Sequence, residues 1–245
     1  MAVLMEQVQH SFQRYEKKFL LTQAQYQGLR RALEARLAVD QYGEHTICNI
    51  YFDTDRFDLI RASLEKPAYK EKFRLRSYGV PGPQGLIFAE IKKKAGGVVY
   101  KRRVEGMPRQ IGAFMDRGRP LPGSGQIQRE IQWFLSRYRP TPKVFIGYER
   151  VAMTAPQDPD LRVTFDWNIR WRTQRLELGL GDDGHPVLSE DRVVMEIKVP
   201  RAIPLWLAGA LSAGGIFPTS FSKYGACYQR CLLPQYFSQG RNAYA

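Results

Sequence analysis

Cysteine and histidine are scarce in this chain. Its three cysteines, Cys48, Cys227 and Cys231, show no CxxC spacing and leave an odd one over, which argues against a disulfide framework or a thiolate metal site. Free buried thiols in a reducing cytoplasm are the expectation. The three histidines, His10, His45 and His185, are scattered and show no metal-binding pair spacing. A Gly-rich loop ending in Lys-Ser/Thr is missing, and so is a nucleophile elbow, so neither a P-loop nucleotidase nor a serine hydrolase is indicated. Long apolar runs are missing too. The longest, Ile203 to Leu211, is far too short to span a bilayer, and MAVLMEQVQH at the N-terminus has no apolar signal region, so a cytoplasmic protein is expected. Acidic residues are outnumbered: 37 Lys and Arg against 24 Asp and Glu give a formal net charge of +13. A balance this basic points to polyanionic partners.

The cations are arranged with a period of two. In YKEKFRLRSYG, Lys70, Lys72, Arg74 and Arg76 fall at alternate positions, and Phe73 and Leu75 lie between them. On a strand the two sets project from opposite faces. IFAEIKKKA repeats the pattern with Glu90, Lys92 and Lys94 against Ile87, Ala89 and Ile91, and Val98 to Val104 adds Lys101, Arg102 and Arg103. Ala95-Gly96-Gly97 marks a hairpin between these two strands. One face is an ordinary apolar one. The other crowds cations that repel each other, which is tolerable only where solvent or an anion neutralises it.

The rest of the chain continues the theme. FQRYEKKFLL, from Phe12 to Leu21, reads as a strand, followed by a helix from Thr22 to about Val39 that opens with a Thr22/Gln25 capping box and buries Tyr26, Leu29, Leu33 and Leu37. Ile47 to Thr54 is a strand, and Arg56 to Glu65 a helical turn. Helical periodicity between Gly106 and Tyr138 carries Ile127, Ile131, Phe134 and Leu135 as a core stripe. Strands return at Lys143–Met153, Leu161–Trp171 and Arg192–Val199. In the second of these Arg162, Thr164, Asp166 and Asn168 share one face, and Val163, Phe165, Trp167 and Ile169 the other. Helices over Pro204–Ala213 and Lys223–Leu233 finish the pattern, and SQGRNAYA reads as a frayed tail.

A single strand with a charged face is ordinarily a half-buried strand of an open sheet with one solvated side. Here the charged faces recur, each with Lys/Arg pairs and an isolated carboxylate: Glu16, Glu90, Asp166 and Glu196. A closed antiparallel β-barrel of α+β class, with its polar face inward and helices packed outside, produces this pattern. The carboxylates then either hold neighbouring cations in place or ligate a divalent metal that bridges phosphate oxygens. One domain over residues 1–245 is expected, with its core at about 12–233 and the remainder, 234–245, as a tail.

FQRYEKKFLL, ICNIYFDT, KEKFRLRSYG, FAEIKKK, YERVAM, LRVTFD, VVMEIKV and FSKYG, in this order, resemble the VTC polyphosphate polymerase domain of the triphosphate tunnel metalloenzymes. The resemblance implies a closed barrel with a charged lumen, and transfer of the ATP γ-phosphate to a growing polyphosphate chain that exits through the tunnel, with Mn²⁺ or Mg²⁺. On this resemblance Lys18 is the first-strand lysine, Arg74 and Arg76 the RxR pair, and Glu90 with Lys92 the ExK strand. Lys101 supplies the next lysine, Arg150 and Arg162 the later arginines, and Lys223 the lysine of the FSK motif. Arg74, Arg76, Arg150 and Arg162 would grip the nucleotide's phosphates, and Glu196, with Glu90 and Glu16, would hold the metal. Two departures stand out. Arg14 replaces the first Glu of the wider superfamily's ExExK motif, and Ser220 lies where a further lysine is expected before FSK.

Two rivals follow from the same residues. A tripolyphosphatase would use the same barrel with water as the acceptor. A binding module without catalysis would hold polyphosphate or RNA on the basic face. Sheets that bind nucleic acid stack bases on exposed aromatics, whereas Phe73, Phe165 and Trp167 fall on the apolar face, so no nucleic acid partner is expected. No membrane segment is evident in the sequence, and any delivery of product to a membrane would need a separate membrane-protein partner.

Overall fold

The computed structural model describes residues 15–236 apart from Gly97 and Ser124. Phe12 to Arg14 of the expected first strand, His10 and SQGRNAYA lie outside the described residues. The backbone is one curled antiparallel sheet. Its strands are β1 (Tyr15–Thr22), β2 (Ala38–Val39), β3 (His45–Asp53), β4 (Tyr69–Tyr78), β5 (Ile87–Ala95), β6 (Val98–Gly106), β7 (Thr141–Ala155), β8 (Asp158–Arg172), β9 (His185–Pro186) and β10 (Arg192–Val199). The main path runs β1-β10-β8-β7-β3-β4-β5-β6, with β2 beside β7 and β9 beside β8. Among the described residues six helices accompany it: α1 (Gln23–Glu34), α2 (Asp58–Leu64), α3 (Pro108–Arg117), α4 (Gly125–Tyr138), α5 (Leu205–Ala213) and α6 (Lys223–Cys227), the last running into a π-helical turn at Tyr228–Leu232 and, contrary to the expectation that helices pack outside, lying on the inner side.

The alternation of the sequence becomes two sides of the sheet. On the outer side, Phe19 and Leu21 of β1, Val163 and Phe165 of β8, and Met195 and Ile197 of β10 pack beneath Leu29 and Leu33 of α1 and Leu207 and Leu211 of α5. Farther round, Ile50, Phe73, Ile87, Ala89 and Ile91 meet Ile111 and Phe114 of α3 and Ile131 and Phe134 of α4. Each of the larger side chains contributes about 1.5–3 kcal/mol on full burial, and together they fix the strand register, because a slip of one residue would put this apolar set in the lumen. A third cluster lies on the inner side, where Tyr51, Val144, Ile146 and Tyr148 carry Tyr224, Cys227, Tyr228 and Leu232 of the last helical segment.

Three further expectations are corrected. The barrel is open: β1 and β6 do not pair with each other. The reason lies at β1, whose free edge is taken by the Pro218-Thr219 segment. Pro218 bridges Phe19, and the Thr219 N–H donates to the Lys18 carbonyl at 2.7 Å. β6 is left as an exposed edge studded with Lys101, Arg102 and Arg103, charges that discourage strand addition. The first helix stops at Glu34 rather than near Val39; Leu37 is still buried, but Ala38–Val39 turns into β2 against β7. Its start is as expected: the Gln25 N–H donates to Thr22 Oγ1 at 3.2 Å and the Thr22 N–H to Gln25 Oε1 at 3.0 Å. Finally, the alternation of Leu161–Trp171 breaks. The β7–β8 register shifts between Gly147 and Glu149, with Asn168 at φ +49°. Such a bulge inverts the parity beyond it. Ile169 and Trp171 therefore join the inner cluster instead of Phe165's side, and buried Arg170 pairs with Glu149 at 2.6 Å.

Candidate functional site

The inner side of the sheet encloses a cavity of ≈ 410 Å³. Period-two geometry delivers its lining: Glu16 and Lys18 from β1, Lys72, Arg74 and Arg76 from β4, Glu90 and Lys92 from β5, Lys101 and Arg103 from β6, Tyr148 and Arg150 from β7, Glu196 and Lys198 from β10, and Lys223 at the start of α6. Register aligns them in rows, with Lys72 opposite Lys92 and Lys92 opposite Lys101, Arg74 opposite Glu90, and Lys18 opposite Glu196. Of the binding and metal-holding residues implied by the resemblance, Arg162 does not line this cavity. It lies in an adjoining, wider vestibule of ≈ 1340 Å³ together with Lys17, Lys66, Lys70, Lys94 and Arg230, and its guanidinium donates to Asp40 at 3.0 Å.

The arginines are held from behind. Arg74 donates to Glu90 at 2.8 Å and to the Tyr51 hydroxyl at 3.1 Å. Arg76 donates to Asn49 Oδ1 at 3.0 Å and to the Tyr148 hydroxyl at 3.2 Å. Arg150 makes a bidentate pair with Asp166 at 2.6 and 2.7 Å, and Lys223 binds the same carboxylate. Asp166 has no solvent exposure, and burial pushes its pKa up, but Lys223 and Arg150 outweigh burial and hold it low. Guanidiniums fixed in this way present their remaining N–H groups to the cavity with little entropy left to lose. Asn49, Tyr51, Tyr148, Asp166, Lys72, Lys198 and Arg103 extend the set expected from sequence. The cations among them stand in the right alternation; the tyrosines and Asn49 carry no signal of their own, because strand parity does not distinguish a lumen anchor from an inner core residue.

The lysines fall into two electrostatic groups. Lys18 lies 3.3 Å from Glu196 and 3.5 Å from Glu16, and although burial lowers its pKa, these two carboxylates leave it raised. Among the described residues Lys72 has no carboxylate partner; its ammonium donates to Ser222 Oγ at 3.1 Å. Burial first, and then Lys92, Lys18, Lys70 and Arg74, push its pKa down to about 7. Lys92 is pushed down to about 8, mainly by burial, with Lys101 and Lys18 adding to it against the pull of Glu16. Lys101 and Lys198 are lowered too, again by burial first. Burial leads each of these shifts and neighbouring cations add to it, so these lysines sit where positive charge is poorly solvated and a bound anion would favour it.

The donor set suits a hard divalent cation in part. Glu196 and Glu16 converge on Lys18, and each keeps its pKa low against burial through neighbouring lysines, led by Lys223 for Glu196 and Lys92 for Glu16. Opposite Glu196 in the β10–β8 register, the buried Thr164 hydroxyl has no hydrogen-bond partner among the described residues. Glu90 is instead engaged by Arg74 at 2.7 Å and approached by Arg76 at 3.8 Å. Among the described residues no cluster of three or more His, Cys, Asp or Glu could hold a metal by itself. Two carboxylates completed by phosphate oxygens and water is the usual arrangement for Mg²⁺, and Glu196 with Glu16 fits it.

The fold is shared with solved structures of low sequence identity. A candidate adenylate cyclase from Bacillus halodurans matches with a TM-score of 0.52 at 13% identity, over 84% of this chain and 92% of that one. A candidate adenylyl cyclase from Hippeastrum, described as having a dominant triphosphatase activity, matches with a TM-score of 0.48 at 20% identity over 87% and 94%. A candidate adenylate cyclase from Vibrio parahaemolyticus gives 0.45 at 11% identity over 89% and 98%. The architecture is a mixed α/β fold whose curled antiparallel sheet forms a half-barrel, a fold it shares with the Bacillus halodurans structure. No curated protein matches the chain. The family model described as the VTC domain matches residues 13–232, which takes in every strand and helix that lines the cavity. The chain belongs to the VTC domain family.

Proposed function

We propose that the protein is a polyphosphate polymerase that transfers the γ-phosphate of ATP to a polyphosphate chain held in the lumen, with Mn²⁺ or Mg²⁺. The observation that carries this reading is the excess of fixed cations in one cavity. Lys72, Lys92, Lys101, Lys198, Arg74, Arg76 and Arg150 surround a space whose lining carboxylates, Glu16, Glu90 and Glu196, they outnumber, so the natural occupant is a chain of phosphates. Phosphoryl transfer needs alignment and neutralisation of charge on the moving group more than covalent chemistry. The braced arginines orient the phosphates, and Lys72 and Lys92, which form no salt bridge among the described residues, neutralise charge as it develops. An anionic terminal phosphate needs no general base, in keeping with a lumen that has no histidine among its lining residues. Glu196 with Glu16 would hold the metal, which polarises the β- and γ-phosphates when bound.

One observation favours a second reading. The unpaired β1–β6 seam, spanned by a Lys101–Glu16 contact of 3.7 Å, gives water a way to the cavity, and water as acceptor makes the same site a tripolyphosphatase. Glu196→Gln tests what the two readings share. It should abolish metal-dependent turnover while tripolyphosphate still binds; unchanged turnover would remove Glu196 from the mechanism. Product identity separates polymerase from hydrolase.

A further inference from the structure

The row of cations along β4 does not end in a cation. Lys70, Lys72, Arg74 and Arg76 are followed on the same side of the strand by Tyr78, which lines the cavity and is 52% exposed. Around it the protein gathers further rings. His45 lies 6.0 Å from Tyr78 between ring centroids, Tyr42 6.3 Å from His45, and Phe88 5.7 Å from Tyr78 in an edge-on contact. Arg103 caps Phe88, with its guanidinium carbon 4.7 Å from the ring centre. Tyr42 is 66% exposed, so this array ends in open ring faces and not in a core.

The array is held in place. Tyr78 pairs with Ile47 at the end of the β3–β4 ladder, and the next N–H, of Gly79, donates to the Thr46 carbonyl at 2.8 Å. Gly79 has φ +72°, a conformation that side chains resist, so the strand ends sharply at Tyr78. His45 Nδ1 lies 3.1 Å from the Gly43 carbonyl, which orients its ring. Inorganic phosphate chains gain nothing from aromatic faces. A planar base does: stacking on an aromatic side chain contributes about 1–3 kcal/mol and tolerates any base, because every base has a π-face. Two strand residues span about 7 Å, so Tyr78 stands one ribose-sized step beyond Arg76, the last phosphate-gripping arginine of the row.

We propose that Tyr78, with His45, Tyr42 and Phe88 around it, forms a nucleobase subsite at the arginine end of the lumen. It seats the base of a nucleoside triphosphate whose phosphates lie against Arg76, Arg150 and Arg74. This inference rests on the proposed use of a nucleotide donor and gives that donor an orientation: base at the aromatic rim, γ-phosphate toward Lys72, Lys92 and the lysine-rich vestibule. Selectivity for nucleotide over bare triphosphate then comes from the rim and not from the tunnel.

Calorimetric titration in chelator, where no turnover occurs, tests it by comparing affinities for ATP and tripolyphosphate. Tyr78→Ala should weaken ATP on the order of tenfold, the loss of one stacked base, and leave tripolyphosphate unchanged. Tyr78→Phe should restore ATP binding. Tyr15→Ala, which removes a half-exposed ring lining the vestibule, should move neither ligand. Equal weakening of both ligands by Tyr78→Ala, no effect on either, or sensitivity to Tyr15 instead would overturn the subsite. Product analysis judges the reaction separately. ATP binding through Tyr78 without polyphosphate formation would sink the polymerase and keep the subsite. Polyphosphate formation with ATP affinity indifferent to Tyr78 would do the reverse.

Discussion

Replacing Asp166 with alanine removes a buried carboxylate that pairs directly with both Arg150 and Lys223. Asp166 is fully buried, its two oxygens take both branches of the Arg150 fork at 2.6 and 2.7 Å, and the side chains of Arg150 and Lys223 are themselves only 12% and 8% exposed. The variant therefore leaves two cations beside Tyr148 without the carboxylate they bond, with little water to solvate them and Glu196 nearby as the remaining negative charge. Removing one partner of a buried pair costs about 3–5 kcal/mol, and in a domain of this size each kcal/mol lowers Tm by roughly 2–4 °C. A fall on the order of 10 °C is expected by differential scanning calorimetry. The same reasoning predicts rescue. Tripolyphosphate supplies the missing negative charge, so the gap between variant and wild type should narrow when it is bound. Asp55→Asn is the control: this carboxylate also contacts a lysine, Lys143 at 2.7 Å, but its side chain is 90% exposed, and no measurable change is expected. An Asp166→Ala protein as stable as the wild type, or one that tripolyphosphate protects no more than it protects the wild type, would refute the claim that this carboxylate balances lumen charge.

Further expectations follow from the same structure. Lys72 titrates near 7 and Lys92 near 8 in the folded chain, against 10.5 for an ordinary lysine. Between those values the unfolded chain binds more protons, so the stability of the ligand-free protein should rise as pH increases from 7 toward 10 and be lowest below 7. A bound polyanion restores these protons. Titration of tripolyphosphate at pH 8 in buffers of different ionisation enthalpy should show net proton uptake, and Lys72→Met should reduce it; no uptake would mean that the lysines are already charged. Thr22→Ala breaks the capping box of α1 and should cost about 1 kcal/mol in chemical denaturation without changing ligand affinity. A stability unchanged within error would show that the cap is not needed.

The sequence disclosed parity far better than it disclosed closure. Alternation told which side chains share a face, because a strand's period leaves no freedom there, and it put Arg74, Arg76, Glu90, Lys92, Lys101, Arg150 and Glu196 on faces that the structure brings to one cavity; Lys223, on a helix, came from the FSK resemblance. Alternation could not tell whether two edges of the sheet meet, since that depends on Pro218 and Thr219, distant in the chain, reaching the free edge of β1. Nor did it show the bulge near Asn168, because the residues beyond it still alternate and only their sense is inverted. Depth along a strand was equally hidden: Arg162 has the right parity but sits out in the vestibule with Asp40. The aromatic rim escaped for a related reason. Phe73, Phe165 and Trp167 do lie off the cation face, but Tyr78 is the last member of that face, and its rings assemble from three segments brought together by pairing.

The central claim is that the lumen passes a phosphoryl group from ATP to a phosphate chain. Its most direct test is incubation of the purified protein with ATP and Mn²⁺, with and without a short polyphosphate primer, while ADP, free phosphate and long-chain product are followed together. ADP matched by long chains, with little free phosphate, is the predicted result. Free phosphate in step with ADP and no chains would contradict it and make the protein a hydrolase.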